Sequence, residues 1–368
     1  MSTIGESGAR SQHTINYDAL LSTTLFNYVN GGNLIDNIFK DSAFLAFLRT
    51  NDGIQKQDGG ERIAMPLMYG SNSTAKSYSG YDVIDTTPQE GITTAFYEWR
   101  EAAATITISR KEERQNSGES RILSLLQSKI TQAEMSLREM VNLQLVRGTV
   151  SGATFIPGNS QKDLYPLGYF LRKNNQLNPT TDNVGNISAV TESWWRHRTA
   201  VGDSASVDTG NDFALAITTY AGLKAGLHRL YNFCSRGSGG SPNLAIADQV
   251  TFETYNNALD TQVRYTNTKM ADMGFETIKC RGATMIWDEV VPDVDNGTAA
   301  ITAGTCFMLN TNFYKLIIDS QTDFTSTPFI EPENQTCKTA KILFMGNAAV
   351  SNLRKHGVLY AISQTITS

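Results

Sequence analysis

The chain lacks the features that mark most catalytic, membrane-spanning and secreted proteins. It has four cysteines in 368 residues, Cys234, Cys280, Cys306 and Cys337, and no Cys-x-x-Cys pair. That spacing argues against zinc and against a disulfide framework, so reduced thiols are expected. The four histidines, His13, His197, His228 and His356, are scattered, with no His-Glu-x-x-His. Gly237-Ser238-Gly239 is the nearest approach to a Gly-x-Ser-x-Gly nucleophile elbow and does not match it. No Gly-x4-Gly-Lys-Ser/Thr phosphate loop occurs. These absences assign no catalytic residue, no cofactor and no metal. No apolar run approaches the ~20 residues of a membrane span, and the first residues show no basic stretch followed by an apolar one, so no secretion signal is expected. Basic excess is missing too: 31 Lys and Arg stand against 36 Asp and Glu, for a formal charge of −5. Non-specific nucleic-acid affinity comes mostly from phosphate contacts, which argues against tight autonomous DNA binding. A wall that merely faces packaged nucleic acid needs no such excess.

What is present is a foldable chain of about two or three domains' length, 40 % apolar before glycine is counted. Its clearest signal is a helix over 117–147. Ile122, Leu126, Ile130, Ala133, Leu137, Val141 and Leu145 recur by threes and fours, which keeps them on one face. Asn116 can cap its start with Glu119 reaching back, and Gly148 supplies a stop. At 1.5 Å per residue the helix is roughly 45 Å long. Directly before it, 61–110 reads as a hairpin. Ile63, Met65, Leu67 and Tyr69 alternate on one side, and Pro66 marks an edge strand. Residues 70–91 are polar with Tyr78 and Tyr81, and 92–109 are again strand-like. A long helix joined to a hairpin with little apolar mass at its tip is hard to bury in one globule. The pair reads as a part that reaches neighbouring subunits.

Elsewhere, 1–16 read as a mobile arm, 17–29 and 34–48 as short amphipathic helices, and 149–210 as irregular, with Trp194-Trp195 in the middle. A helix is expected over 211–231, with Phe213, Ile217, Tyr220, Lys224, Leu227 and Tyr231 at helical spacing. Short strands are expected at 243–247, 275–280, 283–287, 305–310, 341–346 and 357–363, with a helix capped by Asp248 after the first.

The order over 242–318 is more specific. Pro242 to Ala247 leads into a helix bearing Phe252 and Tyr255. Met270 to Phe275, Lys279 to Asp288, Val290-Val291-Pro292 and Cys306 to Thr311 follow. This resembles the second half of the major capsid (coat) proteins of tailed bacteriophages, the Johnson fold, and Asn347 to Tyr360 resembles their closing hairpin. The resemblance implies an α+β chain with an N-terminal arm (1–60), an extended E-loop hairpin (61–110), and a spine helix with the start of the P-domain (111–150). An A-domain with interleaved P-domain strands (151–320) and closing P-domain strands (321–368) would complete it. It implies self-assembly into hexamers and pentamers of an icosahedral head shell that encloses double-stranded DNA. It also implies a location in the virion after assembly in the host cytoplasm, a portal, and a separate scaffolding protein, because 1–60 are too short and polar for an attached scaffold. Two other readings stay open: a nanocompartment shell of the same fold that encloses a cargo enzyme, and a soluble oligomeric α+β enzyme.

Candidate inter-subunit residues follow from the hairpin and its base. Tyr69, Tyr78, Tyr81, Phe96 and Trp99 sit on a hairpin with no evident core beneath it, where aromatics serve as interface anchors rather than strand packing. Arg110, Lys111, Glu112, Glu113 and Arg114 form a charge run at the helix entry. They read either as an inter-subunit salt-bridge patch that sets register or as an exposed face with weak local pairs. Asp288, Glu289, Asp293 and Asp295 could hold a divalent cation or form a plain acidic loop. Trp194 and Trp195, beside Arg196 and Arg198, could stack on bases or be buried.

Overall fold

A computed structural model describes residues 42–115, 125–148, 150–151, 156–172, 183–203, 211–259, 277–291, 304–333, 335–363 and 365–366. The arm, the helix expected at 17–29, the caps at Asn116 and Glu119, and Asp293 and Asp295 lie outside the described residues. The chain is α+β and divides into two compact units. Of the described residues, the smaller takes those within Ala103–Leu137 and Ser326–Ile342; the larger takes those within Lys40–Ala102, Arg138–Thr325 and Leu343–Ser368.

The larger unit holds a seven-stranded sheet. Its spatial order is Ile278–Cys280, Ala283–Trp287, Leu244–Ala247, Cys306–Leu309, Gly357–Tyr360, Arg198–Val201 and Phe213–Ala214. Leu244–Ala247 and Cys306–Leu309 are apolar throughout and buried throughout, as strands covered on both faces must be. Helices Tyr220–Ser235 and Gln249–Ala258 cover one face. Leu223, Leu227, Leu230 and Cys234 step by four, three and four into a single stripe, which joins Ala245, Met285, Met308, Leu359, Phe252 and Tyr255 in one core. The side chains of Thr219 and Asp248 start the two helices by accepting the N–H groups of Gly222 and Thr251. The first helix therefore begins later than its periodicity suggested. Phe213 and Ile217 share helical spacing with Tyr220, yet Phe213–Ala214 is an edge strand parallel to Arg198–Val201.

A second sheet in this unit runs Ile54–Gln57 parallel to Tyr314–Asp319, which pairs antiparallel with residues 346–350. The hairpin is a separate two-stranded sheet, Ile63–Met68 against Ile92–Tyr97, with Ile63 opposite Tyr97 and Met68 opposite Ile92. It ends at Tyr97. Arg100–Ser109, read from sequence as its continuation, pairs instead with the strand Cys337–Val350.

The long helix is described over Leu125–Val146, roughly 33 Å at 1.5 Å per residue. Of the expected stripe, Leu137, Val141 and Leu145 are buried while Leu126 is exposed. The helix ends where the sequence placed its stop. Gly148 adopts φ +57 and its N–H donates to the Leu143 carbonyl, the left-handed cap that favours glycine. A Cβ there would lie 2.5 Å from Pro166 Cβ.

In the smaller unit, the Arg110 N–H donates to the Thr336 carbonyl, and Ile330 and Thr339 exchange backbone bonds of 2.9 Å. Two turns of charge complete it. Glu112 is buried and accepts from the Ser109 N–H at 2.9 Å and from Lys129 Nζ at 3.2 Å. Glu113 pairs with Lys338 at 2.7 Å.

One buried cation closes the helix Tyr220–Ser235. Lys355 Nζ donates to the carbonyls of Arg236, Gly237 and Gly240, each at 3.1 Å. It lies at the C-terminal, negative end of the helix dipole. Lys355→Met retains the stem and removes all three charge-assisted bonds to the 236–240 turn. Urea unfolding should show a loss of about 2–3 kcal/mol, whereas Lys341→Met, at an exposed strand position, should change stability by less than about 0.5 kcal/mol.

Candidate subunit-contact surface

The hairpin has two unlike faces. Ile63, Leu67, Ala95 and Tyr97 point inward and are buried. Tyr97 is the anchor: its hydroxyl donates to the Val350 carbonyl at 2.7 Å, and its ring meets Tyr165 and Phe170 edge-on at about 6 Å. The expectation of a hairpin without a core beneath it is thus corrected for its paired strands. With one face committed, period two places Ala64, Pro66, Met68, Ile92, Thr94 and Phe96 on the other. Met68 is 81 % exposed, Ile92 73 % and Phe96 41 %. Beyond the strands, Tyr78, Tyr81, Val83 and Ile84 are exposed as well. The connecting segment is shaped by its own polar bonds, with Ser79 N–H on Asp82, Thr87 N–H on Asp85 and Lys76 Nζ on the Val83 carbonyl.

The aromatic candidates divide accordingly. Tyr78, Tyr81 and Phe96 face outward. Tyr69 stacks on Trp194 at 5.0 Å and 17°, and Trp99 Nε1 donates to the Gly60 carbonyl at 2.9 Å. Met68 and Ile92 were not singled out from sequence. The signal lay in the strand register, which sets the two opposite one another, and period two alone does not give register. In the charge run, Arg110, Lys111 and Arg114 lie on the exposed side of the helix Arg110–Gln115. Glu112 does not: its carboxylate is engaged by Ser109 and Lys129 of its own chain, which hold its pKa below the ordinary carboxylate value despite burial.

The remaining candidates are structural. Trp195 is buried with Nε1 on the Val184 carbonyl, and Arg196 binds the carbonyls of Ala189 and Val190. Asp288 is buried, accepts the Val290 N–H at 3.0 Å, and has its pKa raised by burial. Among the described residues, no group of three or more His, Cys, Asp or Glu is placed to hold a metal ion. Burial pushes the Cys234, Cys280 and Cys306 thiols up, Cys280 to about 11, away from the thiolate that nucleophilic chemistry needs. No helix among the described residues is long and apolar enough to cross a membrane.

No protein-family model matches the sequence, and no curated protein matches it either. Solved structures do. The chain is similar to a protein of the capsid asymmetric unit of cyanophage A-1(L), with 12 % identity and a TM-score of 0.57 over 89 % of this chain and 95 % of that one. It is similar to a capsid protein of cyanophage P-SCSP1u, with 12 % identity and a TM-score of 0.52 over 91 % and 93 %. It is also similar to the SrpI encapsulin of Synechococcus elongatus, with 8 % identity and a TM-score of 0.51 over 91 % and 95 %. The fold is the Johnson fold, and it extends over nine tenths of the chain.

His197 and His356 offer a check on the burial of this part of the core. His197 Nε2 lies 3.0 Å from the Arg172 N–H, and His356 Nδ1 accepts the Asn310 N–H at 3.2 Å. Burial holds His197 at about 4 and His356 at about 3, against an ordinary 6.5. The unfolded chain takes up protons below about pH 6.5 that the folded chain refuses. Stability from the neutral rings is therefore full above that pH and is lost as pH falls toward 4 and 3, by at most about 1.4 kcal/mol per pH unit per ring. His356→Asn retains an acceptor for Asn310. Its urea midpoint should decline less steeply than wild type between pH 6.5 and 4; equal slopes would contradict the burial of a neutral His356 ring.

Proposed function

We propose that this chain is a major capsid protein, a subunit that self-associates into hexamers and pentamers of the icosahedral head shell of a tailed bacteriophage. The observation that carries this reading is the exposed apolar outer face of the hairpin, Met68, Ile92 and Phe96 with Tyr78 and Tyr81 beyond them, on a chain with a capsid-type fold. Contiguous exposed apolar surface of this kind marks an interaction site. In this reading the contact is heterologous, the hairpin face of one copy against a different surface of the next, and it closes into rings by rotation. Arg110, Lys111 and Arg114 would set register by charge across such contacts.

In this reading the chain's first partner is itself. A separate scaffolding protein and a portal act during assembly in the host cytoplasm. The finished shell is the virion head, and it encloses double-stranded DNA without reading its sequence, a role consistent with the net charge of −5. The chain performs no catalytic step and needs no cofactor. The likeness to an encapsulin supports one other reading, a nanocompartment that encloses protein cargo. Purified shells distinguish the two by content, nucleic acid or cargo enzyme.

The test pairs Met68→Asp with Ile92→Asp. Both side chains are exposed, so the melting temperature of the unassembled chain should move by no more than about 2 °C. Negative-stain electron microscopy should show shells or rings for wild type and none for the double variant. Normal shells from the double variant would remove the hairpin face from the contact. A uniform small oligomer of the wild type with a ligand-dependent melting shift would favour the enzyme reading.

A further inference from the structure

The two edges of the hairpin are not equivalent. The Phe96 N–H donates to the Gly185 carbonyl at 3.1 Å, outside the strand pair, while the Tyr69 N–H donates to the Gly91 carbonyl within it. Backbone groups alternate sides along a strand. The N–H and C=O groups of Ile92 and Thr94 therefore point the same way as those of Phe96, away from Ile63–Met68. Among the described residues no strand pairs with that side. On the far edge the outward positions are Ala64, Pro66 and Met68, and Pro66 stands directly opposite Thr94. Pro66 has no N–H to give, so that edge cannot continue a ladder. One edge is interrupted by Pro66; the other has its Phe96 N–H taken by Gly185 and keeps the outward donors of Ile92 and Thr94.

We infer that the Ile92–Thr94 edge is a strand-addition site that takes an extended segment of a second copy of this chain. This rests on the capsid reading above and specifies its contact. Two features select a second copy. The edge borders the exposed face of Met68, Ile92 and Phe96, so a strand added there would also cover apolar side chains. The adjoining 70–91 segment carries Asp82, Asp85 and Glu90 against a single lysine, Lys76. This acidic tip complements the exposed Arg110-Lys111 pair, which every further copy supplies.

Hydrogen exchange on the full-length protein, unassembled and in shells, reads the site directly. The amides of Ile92 and Thr94 should exchange freely in the first form and at least tenfold more slowly in the second. Equal exchange in both forms overturns the inference. Thr94→Pro supplies a second arm, because it removes an outward N–H with no partner among the described residues and mirrors the proline already opposite. It should leave the unassembled chain folded and cut shell yield at least tenfold, while Thr94→Val assembles normally. If Thr94→Pro forms shells as wild type does and Met68→Asp/Ile92→Asp does not, the hairpin face stands and strand addition fails. If all variants form shells, the capsid contact and the strand addition fail together.

Discussion

A two-stranded sheet is marginal in water unless one of its faces is buried, and this constraint organises the larger unit. Tyr97 meets it. Its ring enters a group that includes Tyr165 and Phe170, and Phe170 in turn meets Tyr314 and Tyr314 meets Phe44. Asn347 binds the same region from the polar side. Its amide donates to the Glu98 carbonyl at 2.7 Å and its oxygen accepts the Tyr165 N–H at 2.9 Å. Once the inner face is fixed there, strand geometry leaves Met68, Ile92 and Phe96 no place inside the protomer. Their exposure follows from the anchoring of Tyr97, and the proposed self-association follows from their exposure.

Much of this was legible in the sequence where one residue governs one local event. Pro66 marks an edge, Gly148 a helix stop and Asp248 a helix start, and each acts through its own backbone or side chain. The apolar runs at Leu244–Ala247 and Cys306–Leu309 were legible for a similar reason, because strands buried on both faces need no partner to be recognised. Arg198–Val201 was not: four residues carry no usable period, and the strand exists because Gly357–Tyr360 lies beside it in parallel register. Glu112 was misplaced because charge runs look solvated until Lys129, seventeen residues away, is seen to return to it. The outer hairpin face needed the register of Met68 against Ile92, which is information about pairs.

Several buried groups with intrinsic reactivity are committed to the scaffold. Lys355 binds three carbonyls of the turn that follows the helix Tyr220–Ser235, His356 accepts the Asn310 N–H, and three of the four thiols are buried. The chemistry of this protein, on this reading, is the chemistry of surfaces.

The proline opposite Thr94 bears on how far such association can run. A strand pair with both edges open has a valence of two and can template growth without limit, as fibres do. With one edge interrupted, each hairpin accepts a strand on one side only, and hairpins do not stack edge upon edge. Growth by head-to-tail contacts then ends where the rotation between successive copies brings the last back to the first. A single imino acid in an exposed strand thus narrows the ways in which copies can meet.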